Sequence, residues 1–535
     1  MNVKYSYGTA GFRYHHKIIE EELAHSIGEF LGLLNRHLNM SFGIMITASH
    51  NSIEDNGVKI ISDNGEMIDE NIEKLITEYC NGTIMIKKNI INMIKETSVA
   101  NLHNNSKKNG ITLERPRISI GMDNRPSSLK IMEKIEDGLL FSFPFIEVDT
   151  LGCSSTPLVH YHMVHPNQYF MNIPFYFKKW IYDRRYDNVL LIDCANGIGG
   201  SVFSHIYNII SDNLICYIRN GGNTSEEISM LNNKCGSEYV QKEREIPISF
   251  DKDKDHSQRI AHFDGDADRL VYTMIEKDTG KVHLLDGDKI GVLITLFIQK
   301  ELEILTDFGK TRMGFIQTAY ANGASTEYVK NVLRVDTKYS ATGVKNLHHI
   351  AKNYDIGVYF ESNGHGTVLF SELWLRRLDD YYSKLCENID LNNNEYMIKI
   401  SAINNLYNLS RLINQYTGDA ITNLLTVEGI LFKSGITTEE WINMYDEKPN
   451  LLWKVKVNNK SVFKPCDDET RLLEPIEFQN KIDEIINNYN SRSFNVRCFV
   501  RPSGTENCVR IYCESDNSYI LNEIKSKINR LFDEL

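Results

Sequence analysis

Apolar and polar positions along the chain follow two different spacings. Between residues 18 and 39, apolar side chains recur every three or four positions, which predicts an amphipathic helix. Elsewhere, short unbroken apolar runs end in polar loops, which is typical of buried strands. Because such strands alternate with helices, the pattern predicts a succession of α/β units. The strands expected in the first part of the chain are Phe42 to Thr47, Gly57 to Ile61, Ile118 to Asp123 and Val189 to Asp193.

The spacing pattern also divides the chain. A second unit is expected from about residue 170 and a third from about Asp286. After about residue 450 the pattern changes to short strands and helices, which predicts a smaller α+β unit at the end. Two stretches interrupt the pattern. Residues 80–112 are polar and predict an insertion that carries loops, and residues 371–400 predict a solvated helix or a second insertion.

Composition agrees with several ordinary domains. At 535 residues the chain is too long for one hydrophobic core, and its 42% hydrophobic content is average. A net charge of -12 disfavours binding to nucleic acid. We expect no membrane span and no signal peptide, because no apolar stretch is long enough, and no transit segment, because the N-terminal residues lack an Arg/Ser-rich amphipathic pattern. The ten scattered cysteines indicate reduced thiols, so a cytoplasmic protein is expected.

The first candidate for chemistry is Ser49, which lies in a loop directly after an apolar strand. The strand would hold the serine rigidly, and its small neighbour Ala48 would let a bulky phosphate approach. A serine at such a place is more often a turn residue or a helix cap. However, Lys59 lies within folding distance, and a partly desolvated lysine can serve as a general base or clamp a phosphate.

The second candidate is an acidic loop in which Asp264, Asp266 and Asp268 alternate with small residues. In an extended chain, residues two apart share one face, so the three carboxylates would converge and would repel each other without a cation. All-oxygen ligands of this kind suit Mg²⁺. A solvated acidic loop is the alternative. A calcium loop of the EF-hand type is excluded, because Arg269 and Ile275 stand where it needs Gly and Glu.

A third loop offers a cradle for an anion. Its arginine provides a planar fork for phosphate oxygens, and hydroxyls and backbone amides complete the cradle. Such a loop suits a phosphate that is bound and not transferred, although a plain turn explains the loop alone equally well. The residues concerned are Arg501, Pro502, Ser503, Gly504 and Thr505, with Arg510 on the following strand.

The fourth loop, from Glu361 to Thr367, follows another apolar strand. The carboxylate of Glu361 and the amide of Asn363 suit sugar hydroxyls, which both donate and accept hydrogen bonds. The glycines would keep the loop close to a ligand. His365 could act on a proton, but a single histidine in a loop is more often structural.

Taken together and in this order, the four loops resemble those of the α-D-phosphohexomutase superfamily. The form Asn363-Gly364-His365-Gly366 is typical of the eukaryotic branch that acts on N-acetylglucosamine phosphates. The resemblance covers nearly the whole chain and is weakest near residues 80–112, 160–188, 240–258 and 371–400. Further segments that resemble this branch are Tyr7 to Arg13, Leu231 to Gly236, Leu285 to Lys289, Gln317 to Gly323 and Thr342 to Lys345.

The resemblance implies an α/β fold with four domains around a central cleft. Three α/β domains with mixed sheets and a smaller C-terminal α+β domain would each contribute one loop to the active site. The corresponding boundaries are 1–168 for the phosphoserine loop, 169–290 for the metal loop, 291–445 for the sugar loop and 446–535 for the phosphate loop.

The resemblance also implies an activity, the interconversion of N-acetylglucosamine 6-phosphate and 1-phosphate on the route to UDP-N-acetylglucosamine. Ser49 would carry the phosphoryl group, and its phosphate would join the three aspartates around one Mg²⁺. A sugar 1,6-bisphosphate would be the intermediate and activator. We take Lys59 as the candidate base, with His50 supporting the loop. Substrate contacts would come from Arg269, Glu361, Ser362, Asn363, Arg501, Pro502, Ser503, Gly504, Thr505 and Arg510.

One position departs from the family pattern. Ser52 stands where a proline is usual, which could loosen the catalytic loop without removing a chemical group.

Other functions stay open at this point. They are the same chemistry on glucose, mannose or glucosamine phosphate, and a silent relative that binds sugar phosphates or proteins. Intact Ser49 and Arg501 and the intact Asp loop weigh against a silent relative, and the lack of an accompanying His cluster weighs against a phosphomonoesterase. We expect small sugar phosphates as partners, no nucleic acid or membrane, and a monomer.

Overall fold

The computed structural model describes residues 4–8, 11–82, 116–387, 394–504 and 507–533. Most of the expected insertion at 80–112 lies outside the described residues, as does Thr505. By its contacts the chain divides into two compact units, which are Met1–Leu284 with Tyr407–Lys433, and Leu285–Leu406 with Ser434–Leu535. The four predicted domain boundaries are finer than this division and stay a prediction. Within the described ranges, no helix is both long and apolar enough to cross a membrane.

The first unit begins with a five-stranded mixed sheet. Its central strand Phe42–Ile46 is buried along its whole length, as the unbroken apolar run predicts. This strand pairs antiparallel with Asp55–Ile61 on one side and parallel with Arg117–Met122 on the other. The strands in spatial order are Phe12–His15, Asp55–Ile61, Phe42–Ile46, Arg117–Met122 and Glu147–Cys153. The accompanying helical segments are His16–Ile18, Ile19–Leu23, Ala24–Leu38, Glu70–Cys80, Ser128–Ser142 and Thr156–Val164.

A second mixed sheet completes the first unit. Its strand Tyr186–Asp193 pairs parallel with both neighbours, and the central strand Arg259–Phe263 also pairs antiparallel with Leu270–Ile275. The Asp loop connects these last two strands. The spatial order is Val282–Leu285, Leu270–Ile275, Arg259–Phe263, Tyr186–Asp193 and Leu214–Arg219. The helices are Tyr169–Trp180, Gly199–Ile210, Ser225–Ser229, Gly236–Glu243 and, from later in the chain, Ala420–Ser434.

A buried ion pair ties this last helix, Ala420–Ser434, to the first unit. Glu428 is fully buried, and its Oε2 lies 2.6 Å from Nη2 of Arg259. The hydroxyl of Tyr272 donates to Oε1 of the same carboxylate at 3.2 Å. The helix therefore returns to a sheet that lies more than 130 positions earlier in the sequence.

The second unit contains a four-stranded mixed sheet. The strand Met313–Thr318 pairs parallel with both neighbours, and the hairpin Ile356–Phe360 to Gly366–Phe370 carries the sugar loop at its turn. The spatial order is Asp336–Ser340, Met313–Thr318, Ile356–Phe360 and Gly366–Phe370. The helical segments are Gly287–Ile304, Gly323–Glu327, Tyr328–Val332, Val344–Ala351, Glu372–Glu387, Thr438–Ile442 and the part of Asn394–Leu412 that precedes Tyr407.

The C-terminal part of the second unit is a smaller α+β arrangement. The strands Asn450–Lys456, Cys508–Glu514 and Arg497–Pro502 form an antiparallel sheet. Three mixed sheets followed by an antiparallel one confirm the predicted fold class. The remaining elements are the strands Lys464–Pro465 and Leu472–Glu474 and the helices Lys460–Val462, Ile476–Asn490 and Ser518–Asp533.

Candidate active site

Ser49 lies just beyond the strand Phe42–Ile46, and its backbone is left-handed, with φ at 51°. This conformation is uncommon for a residue with a side chain and is strained. The Thr47 hydroxyl accepts the Ser49 amide at 2.9 Å and so stabilises the turn. The Ser49 hydroxyl donates to Oδ2 of Asp264 at 2.7 Å. The structure therefore brings the phosphoserine loop and the Asp loop into direct contact within the first unit.

Two side chains, of which Arg125 is buried and Asn232 partly buried, clamp the Ser49 loop through its main-chain carbonyls. Nη2 of Arg125 donates to the carbonyls of Ser49 and Asn51, at 3.0 Å each. Nδ2 of Asn232 donates to the same two oxygens at 2.9 and 3.0 Å. Nη1 of Arg125 also donates to the carbonyl of Ser52. The loop is thus held at the position where the family usually has proline, which compensates for the restraint that proline would supply.

Asp123 in turn holds Arg125. Its Oδ2 accepts from Nε of Arg125 at 2.9 Å and from the Thr47 hydroxyl at 2.7 Å. Its Oδ1 accepts from the Ser128 hydroxyl at 2.8 Å. This carboxylate therefore connects the catalytic loop with the start of the helix Ser128–Ser142.

The Asp loop converges, but not for the predicted reason. The prediction that this segment is extended is wrong. The segment forms a turn in which the Ala267 amide donates to the Asp264 carbonyl at 3.1 Å. Ala267 has a left-handed φ of 57°. Small residues permit this turn, and a Cβ on Gly265 would lie 2.5 Å from the Ser49 carbonyl oxygen. The turn brings one carboxylate oxygen from each aspartate within 4.8 Å of the others.

The three carboxylates are buried and crowd one another. Burial raises the pKa of Asp264 well above its usual value, and the neighbouring charges of Asp268 and Asp266 raise it further. Within the described part of the chain, Oδ1 of Asp266 is buried and has no hydrogen-bond partner. An all-oxygen, buried anionic cluster with an unused ligand atom fits a hard divalent cation such as Mg²⁺.

Lys59 contacts the acidic cluster. Its Nζ lies 2.6 Å from Oδ2 of Asp266 and 3.0 Å from Oδ2 of Asp268. Nζ also donates to the hydroxyl of Thr156, at 3.3 Å, and that hydroxyl donates to Asp266 at 2.6 Å. Burial lowers the pKa of Lys59, but the two carboxylates outweigh burial and leave the pKa raised. In this arrangement Lys59 holds its proton.

One histidine and two arginines lie close to the Ser49 loop. Nδ1 of His50 lies 3.4 Å from the Ser49 hydroxyl, and burial together with Arg269 lowers the pKa of His50 to about 3, so the imidazole is neutral. Nε of Arg269 lies 3.7 Å from the nearest oxygen of Asp264. Nη1 of Arg13 donates to the Asn51 side chain at 3.2 Å. These groups could bind a phosphate on Ser49.

The sugar loop belongs to the second unit and has a defined hydrogen-bond pattern. Oε1 of Glu361 accepts the Gly343 amide at 3.1 Å, and Oε2 accepts from the Asn363 side chain at 3.3 Å. The Ser362 hydroxyl donates to Oδ2 of Asp288 at 3.2 Å. A carboxylate, an amide and a hydroxyl thus lie together at the end of one strand, where they could bind sugar hydroxyls.

The phosphate loop, also in the second unit, follows the strand Arg497–Pro502. Arg501 and Arg510 lie directly opposite each other in the antiparallel sheet. Nζ of Lys460 donates to the carbonyls of Ser503 and Gly504 at 2.7 and 3.0 Å, which holds the loop backbone. Nε of Arg501 lies 3.1 Å from Oε2 of Glu469.

Several residues at the two sites escaped the sequence-based prediction. Arg125 has no assigned role in the sequence-based prediction, and Asn232 and Asp288 lie in family-like segments without an assigned role. The sequence carries no local signal for the others, because their partners lie 40 or more positions away. The residues without a local signal are Thr156, Lys460 and Glu469.

Comparison with known proteins gives the same assignment along the whole chain. The family model "Phosphoacetylglucosamine mutase AMG1, domain III" matches residues 286–436. Models of phosphoglucomutase/phosphomannomutase domain I and C-terminal domain match residues 29–87 and 452–531. Phosphoacetylglucosamine mutase of Arabidopsis thaliana is 36% identical over 99% of this chain and 95% of its own length.

Solved structures agree with the sequence comparison. An N-acetylglucosamine-phosphate mutase in a product complex, described as a member of the α-D-phosphohexomutase superfamily, superimposes with a TM-score of 0.86. Its sequence is 32% identical, and the superposition covers 99% of this chain and 97% of that mutase.

The mutase of Aspergillus fumigatus in complex with GlcNAc-6P and magnesium gives a TM-score of 0.84 at 32% identity, covering 99% of this chain and 95% of its own. A serine-to-alanine variant of that enzyme, in complex with glucose 1,6-bisphosphate, gives 0.82 at 31% identity, with the same coverage. By its identity to the Arabidopsis thaliana enzyme over nearly the full length of both proteins, the chain belongs to the phosphoacetylglucosamine mutase family.

Proposed function

We propose that this protein interconverts N-acetyl-D-glucosamine 6-phosphate and N-acetyl-D-glucosamine 1-phosphate through a phosphoserine at Ser49. The observation that carries the proposal is the 2.7 Å contact between the Ser49 hydroxyl and Asp264, inside a buried cluster of three carboxylates. A serine held against a metal-type acidic cluster suits phosphoryl transfer, where charge must be balanced close to the reacting oxygen. Family membership points to the same chemistry.

The reaction is a double transfer. The bond between phosphorus and the Ser49 oxygen breaks as the free sugar hydroxyl attacks, and the hydroxyl proton passes to a base. The product of this step is the sugar 1,6-bisphosphate. The other phosphoryl group of the bisphosphate then returns to the Ser49 oxygen, and the isomeric monophosphate is released. The sugar must therefore present each of its two oxygens to Ser49 in turn.

The residues Asp264, Asp266 and Asp268 would hold one Mg²⁺, together with an oxygen of the Ser49 phosphate. When bound, this ion would neutralise charge on the transferred group. Lys59 and Arg269 add positive charge beside the same carboxylates. The buried loops on either side keep the cluster away from bulk water, which strengthens these interactions.

Lys59 is the proposed proton carrier, with His50 supporting the Ser49 loop. Because Lys59 holds its proton against Asp266 and Asp268, its action as a base stays a prediction. Turnover of Lys59→Ala equal to that of the unaltered protein would reject the role.

Recognition of the sugar and of its second phosphate is assigned to residues of the second unit. Glu361, Ser362 and Asn363 would bind the sugar hydroxyls, and the loop that begins at Arg501 would bind the phosphate that is not transferred. Since the bisphosphate turns over during the reaction, the same cradle must accept either phosphate. An arginine fork with backbone amides suits this requirement, because it recognises phosphate oxygens and not the attached sugar carbon.

The wider setting is a cytoplasmic step on the route to UDP-N-acetylglucosamine. All ten cysteines are free thiols, which suits a reducing compartment. A monomer is proposed, and the elution volume in size-exclusion chromatography tests it.

A comparison of four substrates tests the proposed function. Turnover of the 6-phosphates of N-acetylglucosamine, glucosamine, glucose and mannose is measured with a catalytic amount of the bisphosphate, with Mg²⁺ and with EDTA. We expect N-acetylglucosamine 6-phosphate to give the highest kcat/KM and EDTA to abolish turnover. A higher kcat/KM for another sugar would show that the assigned substrate is wrong. Absence of turnover with all four sugars would reject the proposed mutase activity.

A further inference from the structure

Glu469 is an acidic residue placed against the candidate phosphate cradle. It lies in the turn between the strands Lys464–Pro465 and Leu472–Glu474, with a left-handed φ of 57°. Its side chain is 13% exposed and that of Arg501 is 14% exposed, so the pair is largely shielded from water. Oε2 of Glu469 lies 3.1 Å from Nε of Arg501.

A second contact holds Glu469 more firmly than the arginine does. Oε2 accepts the Thr342 hydroxyl at 2.6 Å and the Thr342 amide at 3.0 Å. By contrast, the Nε–H of Arg501 is not directed at an acceptor, so its contact with Glu469 is an ion pair without a well-aligned hydrogen bond. Glu469 is therefore fixed mainly by Thr342, and its contact with Arg501 is the weaker of the two.

The same contacts connect the phosphate cradle with the sugar loop. Next to Thr342, the Gly343 amide donates to Oε1 of Glu361 at 3.1 Å. The connection runs from Arg501 through Glu469, Thr342 and Gly343 to Glu361. The segment Thr342 to Lys345, which resembles the family but had no assigned role, supplies the middle of this connection.

At the candidate phosphate cradle, Glu469 and a bound phosphate would compete for the same positive charge. Arg501 and Arg510 lie opposite each other in the sheet, and like charges so placed are unfavourable without an anion. Glu469 supplies one negative charge. A phosphate bound at Arg501 would bring further negative charge beside Glu469, so the carboxylate opposes phosphate binding while it stabilises the empty cradle.

We propose that Glu469 is a positioning residue that limits how tightly the cradle holds phosphate, so that the bisphosphate can leave Arg501 and rebind in the opposite orientation. The inference rests on the proposed mutase function, because only a reaction that turns its intermediate over needs a weak hold on phosphate. Thr342 keeps the carboxylate at a fixed distance, and Glu361 shares the same connection. The same hydrogen-bonded connection therefore influences both the affinity for phosphate and the position of the sugar-binding carboxylate.

The variant Glu469→Gln tests this role. Glutamine keeps the shape and an oxygen that can accept from Thr342, but it removes the charge. We expect the KM for N-acetylglucosamine 6-phosphate to fall about three- to fivefold, the upper part of the range for exposed ion pairs, because this pair is largely shielded from water. We also expect kcat to fall, because the bisphosphate reorients more slowly. Calorimetric binding of inorganic phosphate should tighten by a similar factor.

Asp467→Asn is the matched control. Asp467 is exposed in the same turn, so its replacement changes the net charge equally without touching Arg501. The control should leave KM, kcat and phosphate affinity as they are. A KM that rises in Glu469→Gln, or a kcat that is unchanged, would overturn the proposal, as would an equal response of the control. Failure of the unaltered protein to turn over the sugar would reject the mutase function instead, while the binding of inorganic phosphate would still report on Glu469.

Discussion

At the scale of single residues, the Ser49 loop is held mainly through its backbone. Arg125 and Asn232 both bind the carbonyls of Ser49 and Asn51. Such contacts hold the backbone of the loop in place whatever side chains the loop carries. They also explain how the loop keeps its shape with Ser52 in place of proline.

Replacement of Asn232 by alanine removes two of these hydrogen bonds. We expect kcat to fall about tenfold, which corresponds to the loss of one or two hydrogen bonds in the transition state. KM should change little, because the sugar is assigned to other loops. Steady-state kinetics measure both values. Asn233→Ala is the control, since the Asn233 amide faces the Met230 sulfur. Equal kcat values for the two variants would contradict the role of Asn232.

The Asp cluster gives a prediction about metal removal. Without a cation, three buried carboxylates repel one another, so Asp264→Asn should raise the free energy of unfolding in EDTA by about 1 kcal/mol or more. Mg²⁺ should stabilise the unaltered protein and have little effect on the variant, whose activity should fall at least about a hundredfold.

Urea unfolding with and without Mg²⁺ measures these differences. The exposed Asp278→Asn serves as the control and should behave like the unaltered protein. An Asp264→Asn variant that Mg²⁺ stabilises as strongly as the unaltered protein would exclude Asp264 from the metal site.

The residue types that carry chemistry could be predicted, but their supports could not. Ser49, Asp264, Asp266 and Asp268 stand in a compact sequence pattern, because chemistry demands those groups at that spacing. Arg125 acts on main-chain oxygens, which any residue type offers, so no pattern marks its target. The turn at Ala267 was missed because only the packing of small residues decides between an extended and a left-handed chain there.

At the scale of elements, apolar runs located the strands correctly, but periodicity does not say which sheet a helix joins. The stretch Tyr407–Lys433, which contains all but the last residue of the helix Ala420–Ser434, belongs to the first unit although the chain before and after it belongs to the second. The reason is the buried pair of Glu428 and Arg259, whose partners are 169 positions apart. No local sequence pattern predicts a pairing between residues so far apart in the chain.

Glu428→Gln tests the strength of this tie. The change leaves Arg259 buried without its counter-charge, so the free energy of unfolding should fall by about 3–5 kcal/mol. Chemical denaturation measures the difference. Glu133→Gln, an exposed change on the helix Ser128–Ser142, should have almost no effect. A loss below about 1 kcal/mol for Glu428→Gln would show that packing, and not the ion pair, holds the helix.

The sugar loop is hydrogen-bonded to the carboxylate of Asp288, whose ionisation depends on pH. Asp288 is the second residue of the helix Gly287–Ile304 and accepts from the Gln317 side chain at 3.0 Å, the Asn322 amide at 2.9 Å and the Ser362 hydroxyl at 3.2 Å. Burial raises the pKa of Asp288 from 3.8 to about 6, although the hydrogen bonds oppose it. The folded state therefore favours the protonated form.

The sign of the pH dependence follows from this shift. The contribution of Asp288 to stability is complete below about pH 4 and is lost as the pH rises through 6. Relative to Asp288→Asn, which does not titrate, the stability of the unaltered protein should fall by roughly 3 kcal/mol between pH 4 and 7. Urea unfolding across this range measures it, with the exposed Asp379→Asn as the control. Parallel profiles for Asp288→Asn and the unaltered protein would contradict the shift.

At the scale of the whole molecule, an acidic chain combines with local clusters of positive charge. The net charge is -12, yet Lys59 and Arg269 lie beside the three aspartates, and Arg501 lies opposite Arg510 in the antiparallel sheet. This distribution suits small phosphorylated ligands and disfavours long polyanions. The family resemblance extends over the whole chain, so the fold class and the family could both be predicted from the sequence.

The most direct test of the account is the location of the transferred phosphoryl group. The protein is incubated with the sugar 1,6-bisphosphate and Mg²⁺, and its peptides are examined by mass spectrometry while mutase activity is measured in parallel. The account predicts phosphate on Ser49 in the active protein, and neither phosphate nor activity in Ser49→Ala. Full activity of Ser49→Ala, or a phosphoryl group found on another residue of the active protein, would contradict it.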